Sequence, residues 1–384
     1  MKKILIKNGL VFDENFRFIK KDIGIINNRI TFKINKSFVD DAQIIDAKNN
    51  YIIPGLIDIH IHGAMGADAS SGIIEEIETM SNYLAKCGVT TFCPTTMTLP
   101  YDVLQKAFHA INNYKQQQLN GEKAGARAIG INMEGPYFSF EKKGAQNPDY
   151  IKNADVDAFL QLNNNAQNIV KIIDIAPETE GALHFIEKIK DQVPLISMAH
   201  TNAPYEIAKQ AISYGANHCT HLFNAMPQYN HRTPGVIGAV FESENITAEL
   251  ICDGVHIHPC VVRNVFKILG NDRVCAISDG LSSTGLTDGQ YTLGGQKVYV
   301  ENYCAKLADG TLAGSAKNLF LGFQNIVSFG ISLEDAVKAV SVNPAKAIKE
   351  FDNIGSLEEN KLADLLILDK NLSLEKVFIN GIEH

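Results

Sequence analysis

The feature that most constrains the fold is a regular alternation of short apolar runs with longer helix-like stretches. The runs are rich in β-branched residues, and in order they are YIIPGLIDI, GVTTFCP, ARAIGINM, KIIDIA, PLISMA, NHCT, ITAELIC and RVCAIS. The stretches between them, such as SSGIIEEIETMSNYLAKCG, resemble amphipathic helices. Eight such units over about 300 residues predict a protein of the α/β class, with a closed (β/α)8 TIM barrel rather than an open sheet.

The two ends of the chain follow a different pattern. Residues 1–53 and 352–384 contain short strand-like runs separated by Asn, Gly and Asp turns. Because isolated hairpins are marginally stable in water, we expect both ends to pair into one small β-sandwich domain beside a catalytic barrel of residues 54–351. Two separate edge hairpins are the alternative. The Gly-rich residues 287–315 are predicted to form a hairpin excursion, since their spacing matches no phosphate-binding loop.

Composition argues against several classes of function. The 384-residue chain has no apolar stretch close to the roughly 18 residues of a membrane span, and its start turns polar too early for a signal peptide, so we expect a cytoplasmic protein. The net charge of -8 and the absence of a long basic run argue against nucleic acid and anionic membranes as partners. Seven cysteines without a CxxC pair argue against a disulfide framework.

Polar residues with metal-ligand chemistry follow most of the apolar runs. In a (β/α)8 barrel these strand ends converge on one face, where catalytic residues collect. Imidazoles and carboxylates are usual ligands of zinc and iron, and a catalytic metal keeps one position open for water. Each residue alone could be a core histidine, a helix cap or a turn residue. Together they predict a metal site formed by His60, His62, Glu134, His200, His221 and Asp279.

A series of motifs extends this pattern over nearly the whole chain. In order they are PGLIDIHIHG, INMEGPY, KKGAQNP, MAHTNA, THLFNAMPQYNHRTPG, ICDGVHIHP, SDGLSSTG, GTLAGSA and KLADLLILD. In these motifs the chain resembles the amidohydrolase superfamily and, within it, the N-acetylglucosamine-6-phosphate deacetylase family. HxH is common to the superfamily, whereas EGPY combined with HLFNAM is far more specific. The resemblance implies hydrolysis of the acetamide of N-acetyl-D-glucosamine 6-phosphate to D-glucosamine 6-phosphate and acetate.

The resemblance also implies roles for the strand-end residues. In many superfamily members a carboxylated lysine bridges the metals, but Lys171 lies at the wrong end of the fourth run. The resemblance implies that Glu134 takes the bridging position instead. His200 and His221 hold one metal, and the retained HxH pair leaves room for a second. One or two divalent ions per subunit, zinc or iron, are therefore expected. Asp279 is expected to take a proton from water and deliver it to the leaving nitrogen.

Candidate substrate contacts come from the same resemblance. The backbone at Asn224 and Ala225 is expected to receive the 6-phosphate, helped by His256 and by Arg232, which the neighbouring subunit of a homodimer contributes. An arginine can bind phosphate through two parallel hydrogen bonds, and the alternative for Arg232 is a solvated loop position. The other expected substrate contacts are Ala145, Gln146, Asp253, Gly254, Val255, Leu312, Ala313 and Gly314.

The sequence departs from the family pattern at two positions, and it leaves two alternative functions open. Some relatives carry histidine where this chain has Gln146, and an amide can donate a hydrogen bond but cannot become a cation. Asn360 stands where the superfamily usually has glycine, and asparagine tolerates the left-handed conformation. The alternative functions are another metal-dependent amidohydrolase, acting on an N-acyl amino acid or a cyclic amide, and a barrel that has lost catalysis.

Overall fold

The computed structural model describes residues 3–384, so the first two residues of the predicted N-terminal domain lie outside the described part. Within that range, eight parallel strands pair in sequence order, and the third is split into two short pieces. The strands are Leu56–Ile61, Val89–Thr96, Arg127–Ala128 with Ile131–Met133, Val170–Ile175, Leu195–Met198, His218–Cys219, Thr247–Ile251 and Val274–Ile277. The predicted α/β barrel is confirmed.

The barrel closes between its first and eighth strands. Ile61 and Gly280 form a parallel bridge, and the backbone N–H of His62 donates to the Gly280 carbonyl at 2.8 Å. The N–H of Asp279 donates to the His60 carbonyl at 2.9 Å. The HxH pair and Asp279 are therefore brought together by main-chain hydrogen bonds.

Helices follow the barrel strands and cover the outside of the barrel. They are Ile74–Lys86, Tyr101–Leu119, Val156–Asn165, Ala182–Ile189, Tyr205–Tyr214, Gly235–Glu242, Pro259–Leu269 and Leu319–Ser328. In the first helix, Ile77, Met80 and Leu84 are spaced by three and four residues, so they share one face that is buried in the barrel core. Shorter helical elements are Lys36–Asp41, Phe140–Lys142, Pro148–Tyr150, Leu333–Val337, Lys338–Val342 and Asn343–Ala347.

Strands from both ends of the chain form a second sheet beside the barrel, as predicted. They are Lys3–Phe12, Phe18–Ile26, Arg29–Thr31, Gln43–Asp46, Tyr51–Pro54, Leu365–Leu368, Leu374–Ile379 and Ile382–Glu383. Leu365–Leu368 pairs antiparallel with Tyr51–Pro54 and so joins the two ends. The first strand pairs with Gln43–Asp46 near its start and with Tyr51–Ile52 near its end, and the sheet encloses a core of its own.

Two strand predictions need correction. The run YIIPGLIDI forms two strands in different sheets, because the chain crosses from one sheet to the other at Gly55. A Cβ at Gly55 would collide with the side chain of Thr90, so the crossing requires glycine. The segment after the eighth barrel strand forms one strand more than the predicted hairpin, and its strands are Gly289–Leu293, Gln296–Glu301 and Cys304–Leu307.

The remaining expectations from the sequence concern Asn360, membrane spans, the domain boundaries and the location. Asn360 has a φ of 68°, the left-handed conformation expected there. Among the helices of residues 3–384, none is long and apolar enough to cross a membrane. The domain boundaries after residues 53 and 351 and the cytoplasmic location stay predictions.

Candidate active site

The six predicted metal ligands meet at the carboxyl ends of the barrel strands. Their donor atoms form two groups, in each of which the atoms lie within 4.8 Å of one another. The HxH group contains His60, His62 and Asp279, and the Glu134 group contains Glu134, His200 and His221. The six residues are buried, each at most 8% exposed. Residues that are up to about 220 positions apart in sequence thus share one buried site.

Glu134 lies between the two groups. Its Oε1 is 3.2 Å from Nε2 of His200 and 3.1 Å from Nε2 of His221. Its Oε2 is 3.3 Å from Nε2 of His62, and that nitrogen is also 3.3 Å from Oδ1 of Asp279. Oε1 also lies 3.5 Å from Nε2 of His60, so the carboxylate contacts both groups and is placed to act as a shared ligand.

The Nε2 atoms of the four histidines point toward the other candidate metal-ligand atoms of the site. Nδ1 of three of them contacts an acceptor, and these pairs are His60 with Glu249 Oε2 (2.9 Å), His62 with the Thr95 carbonyl (3.2 Å) and His200 with the Lys142 carbonyl (2.9 Å). Carbonyls and carboxylates cannot donate, so Nδ1 carries a proton and Nε2 is left to act as a ligand. Imidazole Nε2 atoms and carboxylates that converge in this way fit a zinc or iron ion.

The charges of the site favour a cation between its carboxylates. Burial lowers the pKa of His60, but Glu249 and Glu134 outweigh it and raise that pKa well above its ordinary value. Burial also opposes the charged form of His62, yet hydrogen bonds to Asp279 and Glu134 raise its pKa to about 9. Burial raises the pKa of Glu134, but the surrounding imidazoles, His60 first, hold it well below its usual range. A divalent cation would supply the positive charge that these carboxylates attract.

Three of the six residues have a strained backbone. His200, His221 and Asp279 have φ values of 43°, 29° and 48°, in the left-handed region. Such a conformation costs roughly 1–3 kcal/mol for a residue other than glycine, and it is concentrated at functional sites. The backbone therefore holds these side chains against a local cost, as expected for a site that needs fixed geometry.

The two groups open into a cavity of about 440 Å³, a size suited to a small ligand. Most of the predicted substrate contacts line it, and these are Ala145, Gln146, Asn224, Ala225, His256, Leu312, Ala313 and Gly314. Four do not line it, and these are Arg232, Asp253, Gly254 and Val255. Arg232 is exposed on a loop outside the cavity of its own chain.

Asp253 does not line the cavity, but it contacts His256, which does. Its Oδ2 is 2.7 Å from Nδ1 of His256, and its Oδ1 accepts the backbone N–H groups of Val255 and His256. Nε2 of His256 faces the Ala313 carbonyl at 2.9 Å, so both ring nitrogens meet acceptors. Burial opposes the charged ring, but the hydrogen bond and charge of Asp253 raise the pKa of His256. An acceptor at each ring nitrogen favours the charged form of His256 at the cavity wall.

The groups that orient the histidines were not predicted from the sequence. Glu249 is fully buried and contacts His60 and His218, and although burial raises its pKa, His60 and His218 lower it to about 2. A glutamate inside the apolar run ITAELIC was a usable signal, because a buried charge needs a partner. The carbonyls of Thr95 and Lys142 leave no signal, because every residue carries one.

Comparison with known proteins identifies the family. The model of the amidohydrolase family matches residues 51–382. The chain belongs to this family. Amidohydrolases of this family depend on metal, and the HxH and Glu134 groups are candidate metal sites.

Relatives and solved structures agree with this assignment. The chain is 34% identical over 381 residues to N-acetylglucosamine-6-phosphate deacetylase of Bacillus subtilis (strain 168), covering 98% of this chain and 96% of that protein. It is 30% identical over 331 residues to N-acetylgalactosamine-6-phosphate deacetylase of Escherichia coli O157:H7, covering 86% of each. The crystal structure of N-acetylglucosamine-6-phosphate deacetylase from Pasteurella multocida matches with a TM-score of 0.91 and 27% identity, covering 100% of this chain and 99% of that one.

Proposed function

We propose that this amidohydrolase cleaves the acetamide bond of N-acetyl-D-glucosamine 6-phosphate, giving D-glucosamine 6-phosphate and acetate. The observation that carries the proposal is the convergence of two buried donor groups, Asp279 among them, at the floor of a ligand-sized cavity. The Bacillus subtilis relative and the Pasteurella multocida structure are both named for this activity. The Escherichia coli relative makes the galactosamine sugar phosphate a second candidate substrate.

The proposed cofactor is one or two divalent ions, zinc or iron. The HxH group would hold one ion and the Glu134 group the other, with Glu134 between them. A divalent ion lowers the pKa of a bound water from about 15.7 to about 7 and polarises the acetyl carbonyl. The donor set supports either metal, since imidazole and carboxylate ligands suit both.

Asp279 is the proposed general base and general acid. Its Oδ1 lies at the floor beside His62, and Gly314 packs so closely that any side chain there would collide with Asp279. The carboxylate takes a proton from the attacking water and passes it to the amide nitrogen. Protonation of that nitrogen lets the C–N bond break and the amine leave.

The proposed phosphate position is the backbone at Asn224 and Ala225, which line the same cavity as His256. Arg232 is proposed to reach this phosphate from the second subunit of a homodimer. Its exposed position outside its own cavity supports that role, and a guanidinium can bind a phosphate through two hydrogen bonds. Four further lining residues are proposed to contact the sugar and the acetyl group, and these are Ala145, Leu312, Ala313 and Gly314.

A panel of substrates tests the proposal. Acetate release is measured with the metal-loaded protein on N-acetylglucosamine 6-phosphate, N-acetylgalactosamine 6-phosphate, unphosphorylated N-acetylglucosamine and an N-acetyl amino acid. We expect the highest kcat/KM for the first substrate, and loss of activity on chelation with recovery when metal is restored. A higher kcat/KM for N-acetylgalactosamine 6-phosphate would make that sugar phosphate the preferred substrate and leave the proposed deacetylation unchanged. A preference for the N-acetyl amino acid would overturn the proposal.

A further inference from the structure

Gln146 is held between a backbone N–H and the shared ligand Glu134. Its Oε1 accepts a hydrogen bond from the Thr98 backbone N–H at 2.8 Å, and its Nε2 donates to Oε2 of Glu134 at 2.5 Å. A backbone N–H can only donate, so the contact with Thr98 determines which end of the amide is the oxygen. The amide NH₂ is therefore turned toward Glu134. The residue is only 2% exposed, which fixes this orientation further.

The oxygen that Gln146 contacts is the one nearest to His62 of the HxH group. Oε2 of Glu134 is 3.3 Å from Nε2 of His62, whereas Oε1 faces His200, His221 and, at 3.5 Å, His60. A carboxylate oxygen has two lone pairs, so Oε2 can accept from Gln146 and still serve as a ligand. A hydrogen bond at this oxygen fixes the rotation of the carboxylate relative to both groups.

We propose that Gln146 is a positioning residue, which sets metal affinity by holding Oε2 of Glu134 rather than by contacting the sugar. The proposal rests on the metal site of the proposed function. A neutral amide orients the carboxylate without adding a positive charge that would compete with the metal. Groups that hydrogen-bond to metal ligands commonly change metal affinity by about 10- to 100-fold when removed.

The first test replaces Gln146 by a side chain of similar length that makes neither hydrogen bond. For Gln146→Met we expect about 10- to 100-fold weaker Zn²⁺ binding, measured by competition with a chromophoric chelator. With Zn²⁺ saturating, KM for N-acetylglucosamine 6-phosphate should change by less than about threefold, because the sugar loses no contact.

The second variant tests for rescue. A neutral imidazole has one acceptor and one donor nitrogen, so a histidine can accept from Thr98 and donate to Glu134. Gln146→His is therefore expected to keep Zn²⁺ affinity within about threefold of the wild type. A purely structural role in packing would not separate the methionine and histidine variants in this way.

Gln296 provides the matched control. Its Nε2 donates to the carbonyl of Ala145 at 2.6 Å, so it holds the same segment without contacting Glu134. We expect Gln296→Met to leave Zn²⁺ affinity unchanged. An equal loss in Gln296→Met would overturn the proposal, because the effect would then come from the segment as a whole.

The remaining outcomes are also decisive. Wild-type Zn²⁺ affinity in Gln146→Met overturns the proposal, and a raised KM alongside it would make Gln146 a sugar contact. If the methionine variant does not fold, Gln146→Asn is judged by the same criterion, because its amide is one methylene too short to reach both partners. A wild-type chain that binds no Zn²⁺ would overturn the proposed metal site itself, which distinguishes that failure from failure of the Gln146 proposal.

Discussion

The floor and the rim of the cavity are built in different ways. The floor consists of the HxH and Glu134 groups, and its residues are at most 8% exposed. The rim, which here means Asn224, Ala225, Arg232, His256 and Leu312, lies on loops, and Leu312 is 39% exposed. The floor is organised within one chain, whereas the rim has its arginine outside the cavity. Under the proposed function, one chain prepares the chemistry and a second subunit completes substrate recognition.

Because the floor carries the proposed chemistry, a substitution there is expected to have the largest effect on activity. Asp279→Asn keeps the shape of the side chain but removes the carboxylate that moves the proton. We expect kcat to fall by about 10²- to 10⁴-fold with metal bound. Acetate release and metal content are measured on the same sample, and near-normal turnover with metal present would remove Asp279 from its role.

The next largest effect is expected at the rim, and it should depend on the substrate. Arg232→Ala removes a charge-assisted contact to phosphate, so kcat/KM for the phosphorylated sugar should fall by about 10- to 100-fold. The value for unphosphorylated N-acetylglucosamine should change by less than about threefold, since that sugar offers no phosphate. Equal losses on both sugars would show that Arg232 does not recognise phosphate.

Mixing two variants sharpens this prediction. An Arg232→Ala chain keeps its floor, and an Asp279→Asn chain keeps its arginine, so a hybrid dimer has one complete site if the arginine crosses the interface. Random reassociation of equal amounts should restore about a quarter of the wild-type sites. No recovery in a mixture shown to contain hybrid dimers would place Arg232 in its own subunit's site.

A smaller effect is expected from Glu249, the buried carboxylate that contacts His60. Glu249→Gln keeps an acceptor for His60 but removes the charge, so Zn²⁺ binding at the HxH group should weaken by about tenfold. Where two Zn²⁺ ions are bound per chain, chelator competition should show one weakened and one unchanged ion. Because Oε2 of Glu249 is also 3.2 Å from the backbone N of His221, equal weakening of both ions would show that Glu249 supports the whole floor.

The smallest effect is expected from an exposed rim residue. Leu312→Ala removes apolar contact area from the cavity wall, and KM should rise by about threefold while kcat is unchanged. The free energy of unfolding in urea should change by less than about 0.5 kcal/mol, because the side chain is partly in water. A loss of stability above about 2 kcal/mol would show that the rim is part of the packed core.

The floor was predictable from sequence because barrel geometry collects strand ends. The six ligands follow apolar runs, and the closed barrel brings them together whatever their separation along the chain. The run YIIPGLIDI was misread because both of its strands are buried and only Gly55 marks the crossing. Composition could not show that a backbone N–H turns Gln146 toward Glu134, because that contact depends on three-dimensional position.

The rim was less predictable because its residues lie on loops. Arg232 and Asn224 were proposed from motif resemblance, and the fold of one chain leaves the arginine exposed. Asp253 carried a usable signal in its spacing to His256, since residues three apart after a strand can close a small hydrogen-bonded loop. Whether a second chain covers the rim depends on a surface that one sequence does not reveal.

The most direct test of the central claim is acetate release from N-acetylglucosamine 6-phosphate, measured as a function of the metal bound per chain. Protein from which a chelator has removed the metal is titrated with Zn²⁺ or Fe²⁺. The metal bound per chain and the initial rate of acetate release are measured at each step. We predict no measurable release from the metal-free chain and a rate that rises with metal bound. Full release from the metal-free chain, or no release with both groups loaded, would contradict the account.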